Sequence, residues 1–206
     1  MNTLNFIKKL KSFSRDYFTI ADLEKITGLS RPSLKVALSR FVKQGALIRL
    51  KRGVYAQAGE SLNIVKIANQ LYYPSYLSFE SALSYYGILS QIPYTTTFAA
   101  AKPPKKISLG ETDIEFRQIK KSLFFGYSLK NGVYIADAEK ALFDQLYMAS
   151  LGRASLNIKE LDLRKIKISV LNSYIHQFPV ISKDKLNEVK KYIGSSAITL
   201  ETGERV

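Results

Sequence analysis

The chain has 206 residues, 46% hydrophobic and 23% charged, with no cysteine and a formal charge of +14. It carries enough apolar surface for real cores, which excludes disorder throughout, and it lacks the residues for disulfides, thiolate nucleophiles and zinc–cysteine sites. No apolar run approaches the roughly 20 residues of a membrane span, and the start Met1-Asn2-Thr3-Leu4-Asn5-Phe6-Ile7-Lys8-Lys9 lacks the apolar stretch of a signal peptide. A cytoplasmic home is therefore expected, and the positive excess points to a polyanionic partner, nucleic acid or an acidic membrane surface.

Charge and periodicity divide the chain near residue 60. Residues 1–60 hold 12 basic and 4 acidic side chains, net +8, whereas the remaining 146 residues hold 19 and 13, net +6. Eight basic residues (Lys25, Arg31, Lys35, Arg40, Lys43, Arg49, Lys51, Arg52) and no acidic one lie between Lys25 and Gly59. A merely solvated surface normally mixes its signs.

In chain order, Leu4, Ile7 and Leu10 predict a helix over 4–12. Thr19 predicts an N-cap, with Asp22 completing a shortened capping box, for a second helix whose stripe is Ile20, Leu23 and Ile26 and whose stop is Gly28. Ser30 predicts the cap of a third helix over 31–44, ending at Gly45. On it Leu34, Ala37, Leu38 and Phe41 share one side, and Pro32, Ser33, Val36, Ser39, Arg40 and Lys43 share the other. The runs 46–50 and 54–56 around Lys51-Arg52-Gly53 predict a hairpin with a basic tip.

Three helices and such a hairpin make a winged helix-turn-helix, whose third helix enters the major groove of duplex DNA while the wing reaches the flanking backbone. Phosphates are contacted by Lys, Arg and helix-start N–H groups, and base edges by short polar or planar donors at the front of the helix. Arg31, Ser33, Lys35, Val36 and Arg40 are the groove candidates, Lys43, Lys51 and Arg52 the backbone candidates, and Ser30 at the helix start is counted with them as DNA-binding. Helix-turn-helix patterning also occurs in protein-interaction modules; the coincidence of cap, turn, basic outer face and basic wing favours DNA.

Beyond Ala58-Gly59-Glu60-Ser61, a joining helix is expected over 62–71, broken by Pro74. Tyr76-Leu77 reads as extended, and Ser78 as the cap of a helix with Phe79, Ala82, Leu83 and Tyr86 on one face, closed by Gly87. Strands are predicted over 95–101, 112–119 and 132–136, with a loop at Lys102-Pro103-Pro104-Lys105-Lys106. Asp137 is expected to cap a helix over 138–149, and further helices are expected over 163–177 and 183–193, before a fraying tail. Glu80 and Glu139 fall in first helical turns, where the macrodipole favours acids, and Gly87 and Gly126 suit turns. Lys102, Lys105, Lys106, Lys120 and Lys121 form a second basic group that could contact DNA backbone or a protein partner, or be a solvated loop. The expected fold is thus α+β: a winged helix-turn-helix over 1–60, a mixed α/β domain with a small sheet and several helices over 61–194, and a flexible tail over 195–206.

The segments Tyr76-Leu77-Ser78-Phe79-Glu80-Ser81-Ala82-Leu83-Ser84-Tyr85-Tyr86-Gly87 and Ile135-Ala136-Asp137-Ala138-Glu139-Lys140-Ala141-Leu142-Phe143-Asp144, with Ile92-Pro93 and Phe124-Phe125-Gly126 between them, resemble signature stretches of AbiEi-type antitoxins. The winged start, with Arg52-Gly53-Val54-Tyr55 ending its wing, is similar to that family too, so the likeness spans about residues 5–150. Ala138 stands where the pattern would place proline. The resemblance implies a two-domain protein encoded beside a nucleotidyltransferase-like toxin in a type IV toxin-antitoxin system, often linked to phage defence. It further implies binding to inverted repeats in the protein's own promoter, repression of that promoter, and toxin neutralisation associated with the C-terminal domain.

Two other functions compete. A plain winged-helix regulator without a toxin partner needs only the first domain. A metal-dependent DNA-processing enzyme would need Asp113 and Glu115, on one face of a strand, to converge with Glu139-Lys140. His176 is the sole histidine, which leaves little for a triad or zinc site. Gly110 and Gly126 stand outside any phosphate-binding loop pattern. No cofactor, metal or catalytic residue is called for by the sequence, and the chain shows no coiled-coil seam.

Overall fold

A computed structural model of the chain, which describes residues 2–59, 61–177, 187–189 and 191, divides into two units. The first is Met1–Ala68 with Ser108–Thr112, and the second is Asn69–Ile107 with Asp113–Val206. The fold is α+β. Among the described residues no helix is long and apolar enough to cross a membrane.

The first unit opens with α1 (Thr3–Lys11), β1 (Phe18–Thr19), α2 (Ile20–Thr27) and α3 (Arg31–Lys43), and continues with β2 (Leu47–Lys51) and β3 (Val54–Gln57). The strands form an antiparallel sheet in the order β1-β3-β2. Short β1, which the apolar pattern does not announce, adds Phe18 opposite Tyr55 and Thr19 opposite Val54. The spacing of apolar residues on the three helices buries one side of each. Phe6, Leu10, Leu23, Leu34, Leu38 and Phe41 are at most 2% exposed, and Phe6 stacks on Phe41 at 4.2 Å between centroids. At about 1.5–3 kcal/mol for each large apolar side chain buried, this cluster carries the unit.

Local chemistry sets the ends of α2. The Thr19 hydroxyl accepts from the Asp22 N–H at 3.2 Å, while Asp22 Oδ2 accepts from the Thr19 N–H at 2.8 Å, completing the expected capping box. Gly28 closes the helix at φ 69°, in the left-handed region that glycine enters freely. Burial works against the Asp22 charge, but the Thr19 hydroxyl, the Thr19 N–H and Arg15 outweigh it, so the carboxyl sits below its ordinary value. A carboxylate depressed in the folded state contributes stability above its unfolded pKa and loses it as pH falls through the folded one. Asp22→Ala is therefore expected to cost about 1 kcal/mol at neutral pH. In urea unfolding the gap between parent and variant should close as the buffer is taken below the usual carboxylate range.

The division between the units falls within α4 (Ile64–Leu71). Then follow β4 (Ser75–Leu77), α5 (Phe79–Tyr85), β5 (Thr95–Ala100), β6 (Lys105–Leu109), β7 (Thr112–Gln118), β8 (Tyr127–Lys130), β9 (Val133–Ala136), α6 (Ala138–Ser150) and α7 (Ile168–Gln177). The strands form a mixed sheet in the order β6-β7-β5-β4-β9-β8, with β5–β7 and β4–β9 parallel and β4–β5 and β8–β9 antiparallel. All of α6 from Glu139 to Ala149 is buried.

Several expectations are corrected. Lys105 and Lys106 open β6 rather than lying in a loop, an edge strand whose leading lysines disguise it. The helix expected over 163–177 is a 3₁₀ turn at Leu163–Lys165 followed by α7, because the Lys167 N–H is drawn to Glu139 Oε1 at 2.8 Å. Ser30, Ser78 and Asp137 occupy N-cap positions without making the side-chain cap bond. The helix expected over 183–193 is seen at 187–189 and 191, and its other positions, like the tail over 195–206, lie outside the described residues.

Candidate nucleic-acid interface

The core side of α3 fixes what the opposite side presents. At about 100° per residue, with Leu34, Leu38 and Phe41 turned inward, Val36, Arg40, Ser33 and Lys43 fall within about 80° of one another on the outside. All four are exposed, and Val36, an apolar side chain with no core to fill, is 73% exposed. Lys35 stands about 100° round the helix from Val36, and Arg31 about 40° further; both are exposed. Arg31 Nε lies 3.9 Å from Glu24 Oε1 of α2, so Arg31 leans toward the preceding helix rather than straight outward.

At the front of α3, Ser30 donates its hydroxyl to Ser33 Oγ at 3.0 Å instead of capping the helix, and both side chains stay at the exposed first turn. The Arg40 guanidinium lies 5.3 Å from the centroid of the Phe41 ring. In the wing, Lys51 ends β2 half-buried and Arg52 is exposed beside Gly53, which takes φ 82°. Arg49, outside the predicted set, is exposed as well. The pairing of β2 with β3 shifts register between Arg49 and Lys51, so Ile48 and Arg49 both face outward and strict alternation fails. Only the total of basic residues hinted at it.

The five lysines of the second basic group are all exposed and have different neighbours. Lys102 bonds the Tyr73 carbonyl, and Lys102 and Lys105 lie 5.5 and 5.1 Å from the Tyr72 ring centroid. Lys106 pairs with Glu115 at 3.1 Å. Lys120 and Lys121 are exposed.

The acidic residues considered for catalysis are engaged separately. Arg117 Nε donates to Glu115 Oε2 at 2.9 Å. Burial of Glu115 opposes its charge, but Arg117 and Lys106 lower its carboxyl pKa below the ordinary value. Glu139 accepts the Lys167 N–H, and Lys140 pairs with Asp144 inside the second unit. Among the described residues no group of three or more His, Cys, Asp or Glu side chains is placed to hold a metal ion. His176 is exposed near the end of α7.

Three helices, a three-stranded antiparallel sheet, an outward polar face on the third helix and a basic turn between the last two strands define the class: a winged helix-turn-helix, the architecture of a DNA-binding regulator. Residues 5–56 match the family model described as transcriptional regulator, AbiEi antitoxin. The N-terminal domain is thus similar to that of AbiEi antitoxin regulators, and the matched span ends within β3. No curated protein matches the chain.

Proposed function

We propose that the protein is a sequence-specific, non-enzymatic repressor that binds duplex DNA at its own promoter through α3 and the wing. In this reading its second domain counteracts a nucleotidyltransferase-like toxin encoded beside it. Ser33, Val36 and Arg40 face the bases, Ser30, Arg31 and Lys35 hold the flank of the groove, and Lys43, Lys51 and Arg52 meet phosphates. The observation that carries the reading is the outer face of α3, exposed along its length in a stretch from Lys25 to Gly59 that contains no acidic residue. A face of one sign attracts a polyanion and raises its local concentration, and duplex DNA is such a partner.

Binding to a promoter duplex, followed by fluorescence anisotropy, is expected to weaken with salt by about 0.9 log units per log unit for each phosphate contact. A flat salt response sinks the proposal. A fragment starting near Leu62 should lose repression. Full-length protein should rescue cells expressing the neighbouring toxin, and failure to rescue would remove the antitoxin half while leaving the repressor.

A solitary winged-helix regulator is the second reading, favoured by one observation: the family match stops at residue 56. The gene adjacent to this one separates the two, since only the antitoxin reading requires a nucleotidyltransferase-like product there.

A further inference from the structure

Within the second unit, the loop after α5 and the segment after α6 line an open cavity of about 400 Å³. Its wall includes Glu80, Gln145 and Glu160 and no Lys or Arg, in a chain with 31 of them. Gln145 is 1% exposed. Its Nε2 donates to Glu80 Oε1 at 3.0 Å and to the Ser155 carbonyl at 2.9 Å. Both partners only accept, which fixes the amide's orientation and leaves Oε1 buried without a donor. An orphaned buried acceptor is costly, and the residue that carries it lines the cavity.

Charge and shape narrow the occupant. Arg117 Nη1 already holds Glu80 at 2.8 Å, so Glu160, whose Oε1 accepts from Asn157 Nδ2 at 2.7 Å, sets the negative sign of the wall. At the rim the loop Gln91-Ile92-Pro93-Tyr94 leaves Ile92 87% exposed and Tyr94 fully so. Both side chains line the cavity yet have most of their surface outside it. A small free cation would meet the carboxylate and leave that apolar surface wet, whereas a polypeptide covers both, and a phosphate backbone would be repelled.

We propose that this cavity is a docking site for a basic segment of a partner protein. An Arg or Lys side chain donates into the wall of Glu160, Glu80 and Gln145, and the apolar residues flanking it cover Ile92 and Tyr94. The site lies within the second unit and outside the region of family match.

The test uses the full ¹⁵N-labelled chain and the probe peptide acetyl-Leu-Arg-Leu-amide at millimolar concentration. The peptide is expected to shift the Gln145 side-chain amide and the Ile92 and Tyr94 amides. Its citrulline counterpart should bind at least about threefold more weakly, the loss of one solvent-screened charge contact. Glu160→Gln and Tyr94→Ala, both at exposed positions, should each weaken the arginine peptide while preserving the remaining spectrum. No shift at these resonances, or equal binding of the citrulline peptide, overturns the proposal. Free arginine amide binding as tightly as the peptide would also overturn it, by making the cavity a small-cation site.

Discussion

Asp144→Ala is expected to destabilise the second unit by about 3–5 kcal/mol, the usual consequence of stranding one member of a buried ion pair. Asp144 and Lys140 sit one turn apart on α6, both 0% exposed, and the Lys140 ammonium bonds Asp144 Oδ1. The other carboxylate oxygen accepts the Ser78 hydroxyl at 2.7 Å and the Tyr76 hydroxyl at 2.9 Å. The ammonium lies 4.8, 5.2 and 5.5 Å from the ring centroids of Phe125, Phe143 and Tyr76. Removing the carboxylate leaves a buried cation with rings but no counter-ion, and two hydroxyls with no acceptor.

The double variant Lys140→Met/Asp144→Leu should recover the part of the loss that comes from the stranded ammonium, because apolar residues of similar volume remove both charges together, while the Ser78 and Tyr76 hydroxyls stay without their acceptor. Burial raises the Asp144 carboxyl above its ordinary value in spite of the Lys140, Ser78 and Tyr76 donors, and it lowers the Lys140 ammonium. A carboxyl raised on folding favours the folded state below its unfolded pKa, and that contribution is lost as pH rises through the folded value. The parent should therefore lose stability relative to the double variant as pH rises from the ordinary carboxylate range toward neutrality. Urea unfolding read by near-ultraviolet circular dichroism across that range measures both effects. A single Asp144→Ala variant within about 1 kcal/mol of the parent would show that the network is not what holds β4 against α6.

That network explains why part of the molecule was legible in sequence and part was not. The Thr19–Asp22 box, the Gly28 stop and the two faces of α3 depend on residues within four positions of one another, and they emerge where the sequence placed them. Ser78 has the residue type and position of a helix cap, but its hydroxyl goes to Asp144, 66 positions away. Phe79 then enters α5 at φ 55°, a left-handed start held by complete burial of the ring. Leu163, Ile166 and Leu171 are all buried and fit a helical period, yet Glu139 captures the Lys167 N–H and splits the segment. The winged face was readable because local periodicity sets it. Arg49 escaped because a register shift re-aims it, and the acidic cavity escaped because Glu80 and Gln145 meet only across 65 positions.

Within the winged face, specificity and affinity should separate by position. Arg40→Ala is expected to weaken binding to the promoter by about 1–3 kcal/mol while changing random-sequence binding less. Arg40 stands within about 40° of Val36 on the outermost line of α3, where a guanidinium can reach a guanine edge and a Val methyl a thymine methyl. Lys43→Ala and Arg52→Ala should weaken both duplexes alike and lower the salt slope by about 0.9 each, since one lies at the end of α3 and the other in the wing turn. Arg31, turned toward Glu24, should behave as a phosphate contact and move with Lys43 rather than with Arg40. Anisotropy titrations on promoter and scrambled duplexes at three salt concentrations distinguish the classes. If Arg40→Ala lowers both duplexes equally, the outer line of α3 faces phosphate, and base reading must be sought at Ser30 and Lys35 instead.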